Sequence, residues 1–313
     1  MTLKKITYRS IVFIALLILI DQIVGILLDE KYQANICFYS NGEVNDYIQN
    51  KQCDTLFVGS SRVLHMIDAS IFGPNSMNLA KAQKHNHYQT SIIDILAQNN
   101  KLPEKLLVLN LEGLDLFMEN GPSLIEQVNS LSYYYTSNDI VKSYINKQGW
   151  QERIKFLSHT YRHNSIGLQL FTNPLENVCP EHPQNGYIPL TPTALDSARL
   201  AKSLIDDFTP IKNQRFNKLI FENIIHIKSL CDKKSIQLLI IDAPYYKNHP
   251  SFKKASIALQ KFCKKIDVKF IDFKYEQIPG LENKLNWYDN MHTNEKGSEI
   301  YTRFLKAKIS AIN

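Results

Sequence analysis

Two short stretches hold residue types that together can move an acyl group. In Phe57-Val58-Gly59-Ser60-Ser61-Arg62 a serine stands two residues past a glycine, where an apolar run stops. The glycine permits a tight turn. The serine then begins the next segment, where backbone N–H groups point outward and can stabilise negative charge. Taken alone, a serine after a strand is more often a helix cap than a nucleophile. The second stretch, Trp287-Tyr288-Asp289-Asn290-Met291-His292, shifts that balance. An imidazole can take the hydroxyl proton, and a carboxylate three residues before it in a turn can hold the ring in the right tautomer. Ser61 then reads as a nucleophile, His292 as its general base and Asp289 as the group that orients the base.

These stretches resemble the SGNH (GDSL-like) hydrolases. Gly59-Ser60-Ser61 stands where that family carries Gly-Asp-Ser, and Asp289-Asn290-Met291-His292 matches its C-terminal Asp-x-x-His block ahead of a final helix. The resemblance covers about residues 52–120 and 212–310. Gly-Ser-Ser-Arg behind an N-terminal anchor looks like the bacterial membrane-tethered members. Those include relatives of proteins that acylate or deacylate cell-surface polymers. The resemblance implies a serine esterase or O-acyltransferase acting on a surface glycan or acylated polymer. It also implies an oxyanion hole, formed by the N–H groups of Ser61 and of Ala80, which stands in Asn78-Leu79-Ala80 where the family has glycine. The family's third block donates through an asparagine. Here Gly113-Leu114-Asp115 brings Asp115 to that place, and an ionised aspartate cannot donate. Asn110, in the preceding strand, is the substitute donor. One missing donor costs on the order of 10²–10³ in rate.

Other residues carry weaker signals. Arg62 and Asp115 are candidate substrate-binding groups, with a salt bridge inside the fold as the plainer reading of Arg62. His85 and His87 have a metal-like spacing but no carboxylate cluster, so surface histidines are expected and no metal is assigned. Tyr245-Tyr246 and Trp287-Tyr288 could stack on sugar rings or simply pack. No P-loop, Rossmann fingerprint or G-x-S-x-G elbow is present, and no cofactor is expected.

The elements that must position the two stretches follow from periodicity. Buried strands are expected at Cys53–Val58, Leu106–Leu111, Ile236–Ile241 and Val268–Ile271. Helices are expected at 86–99, 216–231, 251–265 and from about Asn294. Their alternation implies a three-layer α/β/α domain with a mainly parallel sheet, SGNH- or flavodoxin-like, over 51–313. Gly59-Ser60-Ser61, Gly113-Leu114-Asp115 and Asp242-Ala243-Pro244 all fall at carboxyl ends of strands, where such sheets bind ligands. Residues 120–210, rich in Pro, Tyr and Asn, read as an insertion over the site, with helical pieces near 137–147 and 150–158.

The N-terminus reads as a membrane anchor. Residues 11–28 form an 18-residue apolar stretch, broken only by Asp21-Gln22. As a helix this covers roughly 27 Å, close to the hydrocarbon thickness. Lys4, Lys5 and Arg9 precede it, so the positive-inside rule puts the first residues in the cytoplasm and the rest of the chain outside. Residues 1–30 are thus a cytoplasmic tip and a transmembrane helix, and 31–50 a polar stalk. Asp21 costs about 2.5–3.5 kcal/mol in hydrocarbon on insertion scales, which leaves two readings: contact with another membrane protein, or tolerated polarity near the outer interface.

Composition excludes some alternatives. The chain is 44% hydrophobic and 21% charged, enough for one sizeable core. The net charge of +6 is spread over pairs such as Lys233-Lys234 and Lys264-Lys265. No basic stripe with interleaved aromatics points to nucleic acid. Of five cysteines, Cys53, Cys231 and Cys263 read as core, while Cys37 and Cys179 are the freer pair. Two rival functions remain: a non-catalytic assembly or binding factor for surface polysaccharide, and a lipid-directed esterase.

Overall fold

The computed structural model describes residues 3–35, 42–113, 115–117, 125–164, 166–167, 170, 185–206, 216–250 and 252–312. Five strands form one all-parallel sheet: β1 (Thr55–Val58), β2 (Ser76–Asn78), β3 (Leu106–Asn110), β4 (Gln237–Asp242) and β5 (Lys269–Asp272), in the order β2-β1-β3-β4-β5. Side chains along a strand alternate between faces, and both faces here are covered. Leu56, Val58, Leu107, Leu109, Leu238 and Ile240 enter one core cluster. Their neighbours Phe57, Leu106, Val108, Leu239 and Ile241 enter the other. This two-sided burial is why the strands read as continuous apolar runs rather than alternating ones.

The helices divide accordingly. The first face is covered by α2 (Gly42–Asn50), α4 (Asn86–Gln98), α5 (Asp139–Lys147), α8 (Lys218–Lys233) and α9 (Phe252–Lys265). The second is covered by α3 (Ser61–Met66) and α10 (Glu295–Ile312), with Leu200 of α7 (Asp196–Asp206) beside them. After β1 the chain turns outward to β2, and it then crosses back to β3 on the other side. The crevice between the β1 and β3 exits is therefore the switch point at which such sheets hold ligands.

Two elements differ from the sequence expectation. The edge strand β2 was not foreseen: Ser76-Met77-Asn78 is short and mostly polar, yet buried. Residues 42–50, expected in a stalk, form α2 and bury Val44 and Tyr47 in the core. Cys53, Cys231 and Cys263 are buried and free; Cys37 and Cys179 lie outside the described residues.

The N-terminal helix α1 (Leu3–Ala34) is long and apolar enough to cross a membrane. Residues 3–20 of this helix are exposed, but its last turns dock on the domain. Gly25, Leu28 and Tyr32 are buried there, and Tyr32 stacks on Tyr133 at 4.3 Å. A Cβ on Gly25 would lie 2.2 Å from His159 Cγ, so only glycine lets the helix approach this closely. Asp29 bridges His159 and His163 at 2.7 and 2.8 Å. Asp21, for which a partner protein and tolerated interfacial polarity were both open, has partners within the chain. It accepts from Ser158 Oγ at 2.5 Å and from the N–H groups of His159 and Thr160 at 2.8 and 3.1 Å. It thereby caps the 3₁₀ turn Thr160–His163.

Losing a side-chain cap costs on the order of 1 kcal/mol. Asp21→Ala is expected to lower the thermal midpoint of the full chain in detergent micelles. Asp21→Asn, which keeps an acceptor, is expected to lower it less. Equal midpoints for Asp21→Ala and wild type would show that the cap carries no stability.

Candidate active site

The turn after β1 is built around close packing. A Cβ on Gly59 would lie 2.3 Å from Val63 Cγ2 and 3.1 Å from Asn110 Cβ, so the glycine lets the chain fold back against β3 and α3. Ser60 is the N-cap of α3. Its Oγ accepts from Arg62 N at 3.4 Å and donates to Glu112, while its carbonyl takes the N–H groups of Val63 and Leu64. These bonds fix Ser61 as the first helical residue, half-buried, and leave its own N–H without a partner among the described residues.

The loop before α10 is equally constrained. Trp287 is 1% exposed, and its Nε1 donates to Leu281 O at 2.7 Å. It pairs with Thr293 in an antiparallel bridge, and Tyr288 N donates to His292 O at 2.9 Å. Inside this loop Asp289 Oδ1 accepts from the backbone N–H groups of Met291 and His292 at 2.7 and 2.8 Å. Both Asp289 oxygens lie 3.0 Å from His292 Nδ1, and His292 Nε2 lies 2.8 Å from Ser61 Oγ. With a carboxylate at Nδ1, the ring proton belongs on Nδ1 and the Nε2 lone pair faces the serine hydroxyl. Burial pushes the Asp289 carboxyl up, but the bonds from the His292 ring and the two N–H groups outweigh it and hold the group below the usual carboxylate range.

Hydroxyls clamp the two stretches together. Ser298 Oγ of α10 donates to His65 O at 2.7 Å, and Thr302 Oγ1 donates to Met66 O at 3.1 Å. Tyr301 and Leu305 share the core cluster of Val63 and Leu64. The two helices that follow Ser61 and His292 are thus locked side by side. Residues 185–206 complete the surround: Ile188 N donates to Leu64 O, and Ser203 Oγ accepts from Asn290 N at 2.9 Å.

The remaining sequence candidates fare differently. Ala80 spends its N–H on Asn78 Oδ1 at 3.0 Å. Asn110 lies against Gly59; its Oδ1 accepts from Ala243 N at 3.0 Å, and its buried Nδ2 has no partner among the described residues. Arg62, a candidate substrate-binding group, takes the salt bridge inside the fold that was its plainer reading. It is fully buried, paired with Asp242 at 3.1 Å, bonded to the carbonyls of Ala243 and Pro244, and stacked on Tyr245 at 3.9 Å. Asp115 is also buried, and its carboxylate meets His85 Nδ1 at 2.8 Å. His87, expected at the surface, is buried and accepts from Asn223 Nδ2 at 3.1 Å. Trp287 and Tyr245 pack rather than face solvent, and Tyr288 lies under Arg199 at 4.2 Å. Among the described residues no three metal-ligating side chains gather. A cleft of about 540 Å³ lined by Tyr246, Ile278, Pro279 and Trp287 lies beside the same loop but includes none of Ser61, Asp289 and His292.

Two residues escaped the sequence reading. His65 meets the His292 ring edge-on, centroids 5.9 Å apart, and its Nδ1 donates to Ile188 O at 2.8 Å. Burial lowers its pKa, which favours a neutral neighbour for a charged His292. Glu112, two residues beyond β3, is buried and holds the Ser60 hydroxyl. Its place at a strand's carboxyl end was the available signal.

No family model matches the chain, and neither does any curated protein. Among solved structures the chain is similar to a Bacteroides fragilis protein described as a "putative acylhydrolase". The two are 9% identical over 86% of this chain and 94% of that one, with a TM-score of 0.43. It is also similar to a Streptococcus pneumoniae protein described as a "putative platelet activating factor", 11% identical over 96% and 99%, with a TM-score of 0.39. Likenesses this distant carry no argument about activity.

Burial, reinforced by Asp115, raises the Glu112 pKa against the pull of Arg62. The folded state therefore holds this proton more tightly than the unfolded state. Stability is lost as pH rises from the ordinary carboxylate value through the raised one. Glu112→Gln keeps an acceptor for Ser60 and is expected to flatten that slope in urea unfolding across the acid range. Parallel slopes for variant and wild type would contradict the assignment.

Proposed function

We propose that the chain is a serine-dependent ester hydrolase or O-acyltransferase. In this reading α1 tethers it to the membrane, its C-terminal domain lies outside the cytoplasm, and it acts on an acylated surface glycan or polymer. The observation that carries the reading is the pair of contacts at His292: Ser61 Oγ at 2.8 Å on one ring nitrogen and Asp289 at 3.0 Å on the other. Hydroxyl, imidazole and carboxylate in series form the arrangement that makes serine nucleophilic at neutral pH. The three side chains are only partly buried, so a substrate can reach them from solvent.

The chemistry follows from the geometry. Ser61 Oγ attacks the ester carbonyl while His292 Nε2 takes its proton. Negative charge moves to the carbonyl oxygen, where the unspent Ser61 N–H is the available donor; Asn110 Nδ2 is unspent among the described residues but buried. The intermediate collapses, His292 returns the proton to the departing alcohol, and an acyl group remains on Ser61. Water then releases it as an acid, or a sugar hydroxyl accepts it as a new ester. Lys4, Lys5 and Arg9 at the start of α1 favour the extracytoplasmic orientation of the domain. The polymer substrate rests on the resemblance in the two site stretches.

One observation favours a second reading. With the Ala80 N–H committed to Asn78, the oxyanion donors are few. A binding or assembly factor for surface polysaccharide would need none.

Groups that act as a unit give non-additive losses. Ser61→Ala and His292→Ala are each expected to lower turnover of a short-chain acyl ester by about 10⁴ or more, and the double variant to lose little further. Turnover by the purified full chain that survives Ser61→Ala would rule out the enzyme reading at this site. Glycan binding without any turnover would favour the second reading.

A further inference from the structure

We propose that a second apolar surface, carried by α6 (Trp150–Lys155) and Leu157, enters the interfacial layer of the same bilayer as α1. The domain would then rest on the membrane by two contacts instead of hanging from one. The inference rests on reading α1 as a membrane-spanning helix. Its observations are separate from those at Ser61.

Trp150, Ile154 and Leu157 are 68%, 57% and 67% exposed, and no residue of α6 is buried. Trp150 and Ile154 stand i, i+4 on α6, and Leu157 follows in the turn that ends the helix. Large apolar side chains exposed singly need no explanation, but three within eight residues mark an interaction surface. Arg153 and Lys155 are exposed on the same short helix. An apolar stripe with tryptophan at one end and basic residues beside it is the composition that lies in a headgroup layer.

The position of this face points to lipid rather than to another protein. Ser158, the residue after Leu157, donates to Asp21, and so do the N–H groups of His159 and Thr160. Asp21 sits inside the apolar stretch of α1, one residue beyond Ile20, which is 56% exposed. Leu157 is therefore held at the level where α1 carries its own exposed apolar side chains. A groove of about 710 Å³ runs between α1 and the segment that follows Leu157, lined by Leu17, Ile20 and Val24 from the helix and by Ser158 and Tyr161 from the segment. If α1 enters hydrocarbon, the adjoining face cannot stand clear of the same boundary. The pairing also explains a carboxylate at this depth. Capped by three donors, Asp21 joins α1 to the element that sits beside it at the water–lipid boundary. Two contacts would also fix the rotation of the domain about α1, and with it the direction in which the Ser61 cleft opens.

The chain contains two tryptophans, and Trp287 is buried in the domain core. Trp150 is thus a built-in depth probe. The full-length chain is reconstituted in phosphatidylcholine–phosphatidylglycerol vesicles with brominated acyl chains, and tryptophan emission is compared with that in unbrominated vesicles. The expected result is quenching of the Trp150 component and loss of that quenching in Trp150→Phe, which retains only Trp287. A second variant, Leu17→Trp in the Trp150→Phe background, reports on α1 itself. If the Leu17→Trp probe is quenched and Trp150 is not, the anchor stands and the second contact is refuted; a protein partner shielding this face would give that outcome. If neither is quenched, the anchor reading fails and takes this inference with it. Neither result bears on turnover at Ser61, which is measured separately.

Discussion

The 2.8 Å contact between Ser61 Oγ and His292 Nε2 joins residues 231 positions apart in the chain. Nothing local can produce it. It requires a parallel sheet that delivers Ser61 at the exit of β1, and a final helix that returns the chain to the same edge of the crevice. The hydroxyl clamp from α10 to α3 supplies the return. The Asp289 turn then aims the ring. A hydrogen bond of this kind loses its value within a fraction of an ångström, so both flanking helices must be fixed before the imidazole can act as a base. The surrounding fold can be understood as the means of holding that one distance.

The strongest electrostatic constraint lies directly behind the nucleophile. Arg62 and Lys274 both pair with Asp242 in the interior, and Gly113 N donates to the same carboxylate at 3.0 Å. These groups come from the exits of β1, β3 and β4 and from the turn after β5. Burying charges costs several kcal/mol per ion, and the penalty is offset only when every charge is well paired. The network therefore penalises any arrangement in which the loops at the carboxyl end of the sheet move apart. Arg62 thus braces the turn that carries Ser61 from within the fold. Its neighbour Ser60 does similar work through Glu112, fixing the turn that presents Ser61.

Much of this was legible in the sequence, and the reasons are physical. Leu106–Asn110 and Gln237–Asp242 are central strands covered on both faces, so their apolar runs are unmistakable. Asp289 and His292 interact within one turn, so spacing alone suggested them. Ser76–Asn78 was invisible because an edge strand of three residues needs little apolar character. The α2 segment carries Val44, Tyr47 and Ile48 at helix spacing, but its polar majority hid a face that packs only when α1 and the sheet are both present. The oxyanion donors were the least legible. Whether an N–H is free depends on its neighbour's side chain, and Asn78 takes the Ala80 N–H while the Ser61 N–H remains. The partners of Asp21 were illegible for the same reason: Ser158 to Thr160 lie 137 or more residues away in the chain.

The central claim is that His292 activates Ser61. The most direct measurement is the rate at which a fluorophosphonate modifies the full-length chain, with the adduct located by peptide mass spectrometry. The account predicts a single adduct on Ser61, formed orders of magnitude more slowly when His292 is replaced by glutamine. Modification at another residue, or a Ser61 adduct that forms equally fast without His292, would contradict it.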